Sequence, residues 1–291
     1  MSTAKAKKTD IREASEVSKG SGIIMTAILA ILAILFLTPI FIIFMNSFKS
    51  RLFISNVPFQ LPNSETFVGL TNYLDGAVKT GFFQAFGWST FITVLSVAFI
   101  VLLTAMTAWY LTRIKTIWTS ALYYLFVFSM IVPFQMVMFT MSKMANMLNL
   151  DNPVGIIVIY IGFGAGLSVF MFCGFVKSIP LEIEEAAVLD GCGPIQAFFR
   201  VVFPMLKPTA ITVAILNAMW IWNDYLLPYL ILGTERKTIP VAIQYLRGGY
   251  GSIDMGAMMA MLVLAIVPII IFYLSCQKYI IKGVAAGAVK G

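Results

Sequence analysis

The run from Ile23 to Met45, IIMTAILAILAILFLTPIFIIFM, carries no charged side chain over its whole length. A membrane-spanning helix needs about 20 largely apolar residues. Five further windows meet that condition, at 86–111, 117–140, 153–176, 209–232 and 257–281. The chain is 60% hydrophobic and only 11% charged, against roughly 45–50% apolar and about 25% charged in soluble domains. These features predict an all-α integral membrane protein with six transmembrane helices. The first run follows a basic start (Lys5, Lys7, Lys8, Arg12, Lys19), as a signal peptide would. It is longer than the about 7–15 apolar residues of a signal h-region and ends at no small-residue cleavage site, so it is expected to be retained.

The formal net charge is +7, but no basic patch is interleaved with exposed aromatics, which argues against nucleic acid. The positive charge instead sets orientation. With the N-terminus inside, the inner segments hold thirteen of the 20 Lys and Arg residues, which predicts both termini in the cytoplasm. Cys173, Cys192 and Cys276 are scattered and there is no histidine. A zinc site, a disulfide framework and the usual catalytic triad are therefore excluded. No metal is expected, and no cofactor bound by this chain.

Between the fourth and fifth windows lies a segment unlike its surroundings, about residues 177–208, on the predicted cytoplasmic side. Pro180 suits the first position of a helix. Glu182, Glu184 and Glu185 place negative charge in its first turns, where it complements the helix dipole. Gly191-Cys192-Gly193-Pro194 then predicts a turn, and IQAFFRVVF a second short helix before Pro204 and Pro208. Two accounts stand on these residues alone. One is an amphipathic elbow on the inner membrane surface; the other is a docking element for a second protein. Phe198 and Phe199 are expected to be buried in lipid or in that partner.

Glu185-Ala186-Ala187, three residues, Gly191, nine residues and Val201-x-Phe203-Pro204 resemble the EAA motif of ABC importer permeases. That pattern is E-A-A, three residues, G, nine residues, I-x-L-P, so Val201 and Phe203 are mild apolar departures. NSFKS (46–50), GLTNYL (69–74), TAWYLTR (107–113), IVPFQ (131–135), WNDYLLP (222–228) and the terminal QKYIIKGVAAGAVKG (277–291) are similar to carbohydrate-uptake permeases. Together they resemble the smaller six-span membrane subunit of maltose-type importers, of a bacterial-type cell membrane. The resemblance implies a cytoplasmic tail over 1–22, a permease domain over 23–281 and a second tail over 282–291. It implies as partners a second permease, two copies of an ATPase carrying ATP and Mg, an extracellular sugar-binding protein, and the sugar itself, of oligosaccharide size. Glu185, Ala186, Ala187, Asp190, Gly191 and Pro204 are then the residues of a coupling helix seated in the ATPase. Lys290 and Gly291 are implied to reach the ATPase subunits. Gln244, Gly248 and Gly249 belong to a loop, 233–254, implied to meet the binding protein. The chain has no G-x-x-x-x-G-K-[ST], so hydrolysis is expected in the partner and this chain is not expected to be an enzyme.

Asp224 is the only acid inside a predicted span, which makes it a functional-site candidate. A structural role, hydrogen-bonded to a neighbouring helix, is the alternative. Trp220, Asn223 and Asp224 are candidates for the translocation path, and Trp220 and Trp222 also suit an interfacial belt. The competing reading of the whole chain is a stand-alone ion-coupled transporter, which would leave the EAA-type segment unexplained.

Overall fold

The computed structural model describes residues 19–246 and 253–288, with side chains from 21 to 246 and from 253 to 277. Its elements are almost all helical. They are α1 (Lys19–Asn46), α2 (Arg51–Asn56), α3 (Thr71–Thr80), α4 (Phe82–Arg113), α5 (Ile117–Ser129), α6 (Phe134–Met147), α7 (Pro153–Val176) and α8 (Leu181–Leu189). Next come α9 (Pro194–Ala197), a π turn over Phe198–Val202, α10 (Phe203–Met205), α11 (Lys207–Asn223), α12 (Leu226–Ile231), α13 (Ile239–Gln244) and α14 (Met255–Ala288). Among the described residues, extended pairing is confined to an isolated bridge between Lys49 and Phe67.

Four helices are long and apolar enough to cross a bilayer, at Ser21–Asn46, Phe82–Arg113, Pro153–Val176 and Met255–Gln277. Two bent pairs raise the total to as many as six if each pair is one span. The expected window at 153–176 coincides with α7, because its start is doubly specified. Asn152 accepts from the backbone N–H groups of Val154 and Gly155, each at 3.0 Å, and Pro153 occupies the first helical position.

The third and fifth windows differ from expectation. Residues 117–140 are not one helix: α5 and α6 meet at 107°. Pro133 stands at the break in extended conformation, and a proline also drives the residue before it out of helical backbone. The fifth window breaks at Asp224, which adopts φ −72° and ψ 125°. Continuing α11 would require Pro228 to donate an N–H to the carbonyl of residue 224, and proline has none to give. At its other end α11 meets Pro194–Met205 at 77°.

The core is α4 laid along α7. Ile92, Ile100, Ala105 and Ala108 of α4 and Ile156, Tyr160, Val169, Phe172 and Val176 of α7 are all buried. Small residues set the close approaches, as membrane helix pairs require. A Cβ on Gly166 would lie 2.6 Å from Ser129 Oγ and 2.8 Å from the Phe126 carbonyl oxygen. Gly166→Ala must therefore push α5 off α7, and an overpacking cost of about 1–3 kcal/mol is expected. Thermal unfolding of the detergent-solubilised protein checks this, and an unchanged midpoint would show that the two helices separate freely.

The stretch after α1 holds more structure than its Pro, Asn and Gly content predicts. Asn72 of α3 donates to the carbonyls of Ser47 and Lys49, both at 2.8 Å, and Tyr73 shares a 2.7 Å hydrogen bond with Ser47. Lys49 is fully buried and its Nζ donates to the Val57 carbonyl at 2.9 Å. Burial lowers its pKa. By contrast α1 is bare along almost its whole length, with 6% of its apolar window buried. α14 continues as helix to Ala288, past the expected end at 281.

Candidate functional site

Asp190 caps α8, and Gly191 follows at φ +82°, a left-handed conformation that costs glycine little. Its N–H donates to the Val188 carbonyl at 3.0 Å, and that of Cys192 to Ala187 at 2.9 Å, which closes the helix end. The chain then turns and runs helically from Pro194 to Met205. The π turn within this run has a local cause. Pro204 lacks an N–H and its ring crowds the carbonyl four residues back. The helix widens there, and the Phe203 N–H donates to the Phe198 carbonyl five residues back.

The segment is clamped to the core by a residue outside the predicted site. Glu184 is 7% exposed. Its Oε1 accepts from Arg113 Nε at 2.9 Å and Nη2 at 2.7 Å, and its Oε2 accepts from Trp109 Nε1 at 2.9 Å. Arg113 Nη2 also donates to the Ile179 carbonyl at 2.9 Å. Both partners lie on the last turns of α4, one turn apart, in the TAWYLTR stretch. Trp109 in turn packs against Phe198, ring centroids 5.5 Å apart. Phe198 is fully buried inside this chain, which corrects the expectation that it needs lipid or a partner; Phe199 remains 45% exposed.

What the clamp leaves outside includes an apolar cluster. Val188, Leu189 and Ile195 are 60%, 88% and 68% exposed around the Gly191 turn. Glu185, Ala186, Asp190, Gly191 and Pro204 are exposed as well, while Ala187 is buried. Acids, small residues and uncovered aliphatic side chains thus share one rigid knuckle.

At the far end of α11, Tyr160 of α7 donates to Asp224 Oδ2 at 2.9 Å, and Asp224 Oδ1 accepts the Leu226 N–H at 3.0 Å. The Tyr160 ring meets Trp220 edge to face at 5.5 Å. Asp224 is therefore engaged by a neighbouring helix. Asn223 is exposed, and its Nδ2 donates to the Met219 carbonyl at 2.7 Å. Deeper, buried Asn217 bridges α11 to α7 by donating to Ser168 Oγ at 3.2 Å. Gln244 closes α13. Gly248, Gly249, Lys290 and Gly291 lie outside the described residues.

On the same face, Lys79 of α3 forms a 2.6 Å ion pair with Asp254, whose other oxygen accepts the Ala257 N–H at 3.1 Å and so caps α14. The hydrogen bond to Asp254 raises the Lys79 pKa. Burial pushes Asp254 upward, but the Lys79 and Ala257 hydrogen bonds outweigh it and its pKa falls below the usual carboxylate value. A depressed carboxylate stabilises the fold above its ordinary pKa and loses that contribution as pH falls through its folded value. Lys79 is half exposed, so Lys79→Met is expected to cost no more than about 1 kcal/mol. The gap to wild type should close below the ordinary carboxylate range in melts at stepped pH. A gap that stays constant into acid would show that the pair is not its source.

Residues 100–286 match the family described as "binding-protein-dependent transport system inner membrane component". Over 268 residues the chain is 36% identical to the probable starch degradation products transport system permease protein AmyC of Thermoanaerobacterium thermosulfurigenes, covering 92% of this chain and 96% of that protein. It is 35% identical over 268 residues to the multiple sugar-binding transport system permease protein MsmG of Streptococcus mutans, with 90% and 95% covered. A chain from the crystal structure of a bacterial ABC transporter that imports the acidic polysaccharide alginate shares the fold. Its TM-score is 0.74 at 24% identity, over 91% of this chain and 99% of that one. With the family match covering more than half of its length and two such relatives spanning nearly all of it, the chain belongs to the inner membrane components of binding-protein-dependent transport systems.

Proposed function

We propose that this chain is one of two permease subunits of an ATP-driven sugar importer, forming half of its path and coupling that path to a separate ATPase. The observation that carries the coupling role is the knuckle at 184–195. It is tied to the core by Glu184, yet presents Val188, Leu189 and Ile195 uncovered. Exposed apolar patches rimmed by polar residues mark protein interfaces, and the EAA-type residues Glu185, Ala186 and Gly191 surround this one. The names of the relatives, starch degradation products and multiple sugars among them, support a sugar as the cargo, and we take it to be of oligosaccharide size.

In this reading six spans are formed by α1, α4, the α5–α6 pair, α7, α11 with its bent neighbours, and α14. Both termini face the cytoplasm of a bacterial-type cell membrane. Two ATPase copies bind ATP and Mg below, a second permease packs alongside, and a sugar-binding protein docks on the outer loop that contains Gln244, Gly248 and Gly249. Lys290 and Gly291 reach toward the ATPases. ATP-driven closure of the ATPases pulls the knuckles together, and the helices follow as rigid bodies between two arrangements.

The test is purification of the tagged protein in mild detergent, with the accompanying chains identified by mass spectrometry. Proline at 191 cannot adopt φ +82°, so Gly191→Pro is expected to lose the ATPase and keep the second permease. Recovery of this chain alone from wild type would overturn the proposal in favour of an autonomous carrier.

A further inference from the structure

One cavity, about 430 Å³ between α4, α11 and α14, is walled by aliphatic and aromatic groups, with Thr90 and Thr93 as its polar lining. It offers little to a polyhydroxylated ligand. A second cavity, about 290 Å³, lies between the end of α11, α13 and α14, and its chemistry is different. Its walls bring together the Asn223 and Gln244 amides and the Trp222 and Tyr225 rings, over a floor that includes Pro240 and Leu262. No carboxylate, lysine or arginine lines it, so an anion or cation would find no countercharge there. The Gln244 amide makes no hydrogen bond among the described residues. Asn223 uses one donor, on the Met219 carbonyl, and its carbonyl oxygen has no partner among them.

Each primary amide offers two donors and one acceptor, the complement of vicinal hydroxyls. Aromatic rings suit the C–H face of a pyranose, since both are apolar in the middle and polar at the rim. The volume sits at the lower end of the about 300–1,000 Å³ of ligand pockets, which fits a single ring and not a chain of them. Trp220 and Asp224 do not line this cavity, and both are engaged with Tyr160 instead.

We infer that the cavity formed by Trp222, Asn223, Tyr225 and Gln244 is a contact site for one neutral sugar ring of the transported saccharide, and that it sets preference among saccharides. This rests on the sugar-importer reading above. The test replaces the gene in the cells that make this protein and measures uptake of radiolabelled maltose, maltotriose, melibiose and raffinose by wild type, Asn223→Leu and Gln244→Leu. A structural defect scales all uptake together, whereas a lost hydroxyl contact falls unequally on sugars that differ in hydroxyl orientation. Ratios of uptake between saccharides are expected to change about three- to tenfold. Equal change in every saccharide, including complete loss, or no change at all, overturns the site. Failure of wild type to take up any of the four, or diacetylchitobiose or arabino-oligosaccharides added to the panel, would overturn the sugar reading instead.

Discussion

Glu184→Ala is expected to abolish sugar uptake while ATP hydrolysis by the complex continues. The substitution leaves Arg113 with two donors aimed at nothing and the Trp109 N–H unpaired, in a site only 7% exposed at the glutamate. Removing one partner of a buried ion pair costs about 3–5 kcal/mol, far above the worth of an exposed pair. The knuckle then keeps the side chains proposed to meet the ATPase but loses its tie to α4 through both carboxylate oxygens. Glu185→Ala should behave differently, because Glu185 is exposed and its loss weakens docking and hydrolysis together. Parallel measurement of uptake and hydrolysis in membrane vesicles separates the two. Full uptake by Glu184→Ala would mean that motion reaches the helices by another route.

Tyr160→Phe is expected to destabilise the complex markedly although it removes a single oxygen. The hydroxyl is the side-chain donor to Asp224, and a hydrogen bond to a charged group contributes about 1.5–3 kcal/mol. For a domain of roughly 150–250 residues each kcal/mol moves the midpoint by about 2–4 °C, so a fall of roughly 3–12 °C should appear in thermal unfolding. If the bond is the cause, Asp224→Asn and Tyr160→Phe combined should cost less than the sum of the two. Simple additivity would assign the loss to packing of the Tyr160 ring on Trp220.

The two ends of α7 were legible from the apolar window at 153–176, and the turn at Gly191 from glycines after an acid-rich helix start. What stayed hidden depended on residues far apart in sequence. Glu184 reads as one of three acids loading a helix dipole, and nothing local distinguishes it from Glu182. Its partners stand 71 and 75 residues earlier. Phe198 looks as exposed as Phe199 until Trp109 is known to cover it. The breaks at Pro133 and Asp224 escaped for another reason. A hydropathy window averages over about 20 residues and passes smoothly across a proline whose neighbours are all apolar.

The clamp at Glu184 also has a mechanical meaning. It grips α4 at its last turns, and α4 has 32 residues, about 48 Å at 1.5 Å per residue. A tilt of about 5° imposed at the gripped end displaces the opposite tip sideways by roughly 4 Å. A small swing of the knuckle would thus be geared into a sideways displacement of several ångströms at the far tip. The length of α4, more than its composition, sets the gain of that lever.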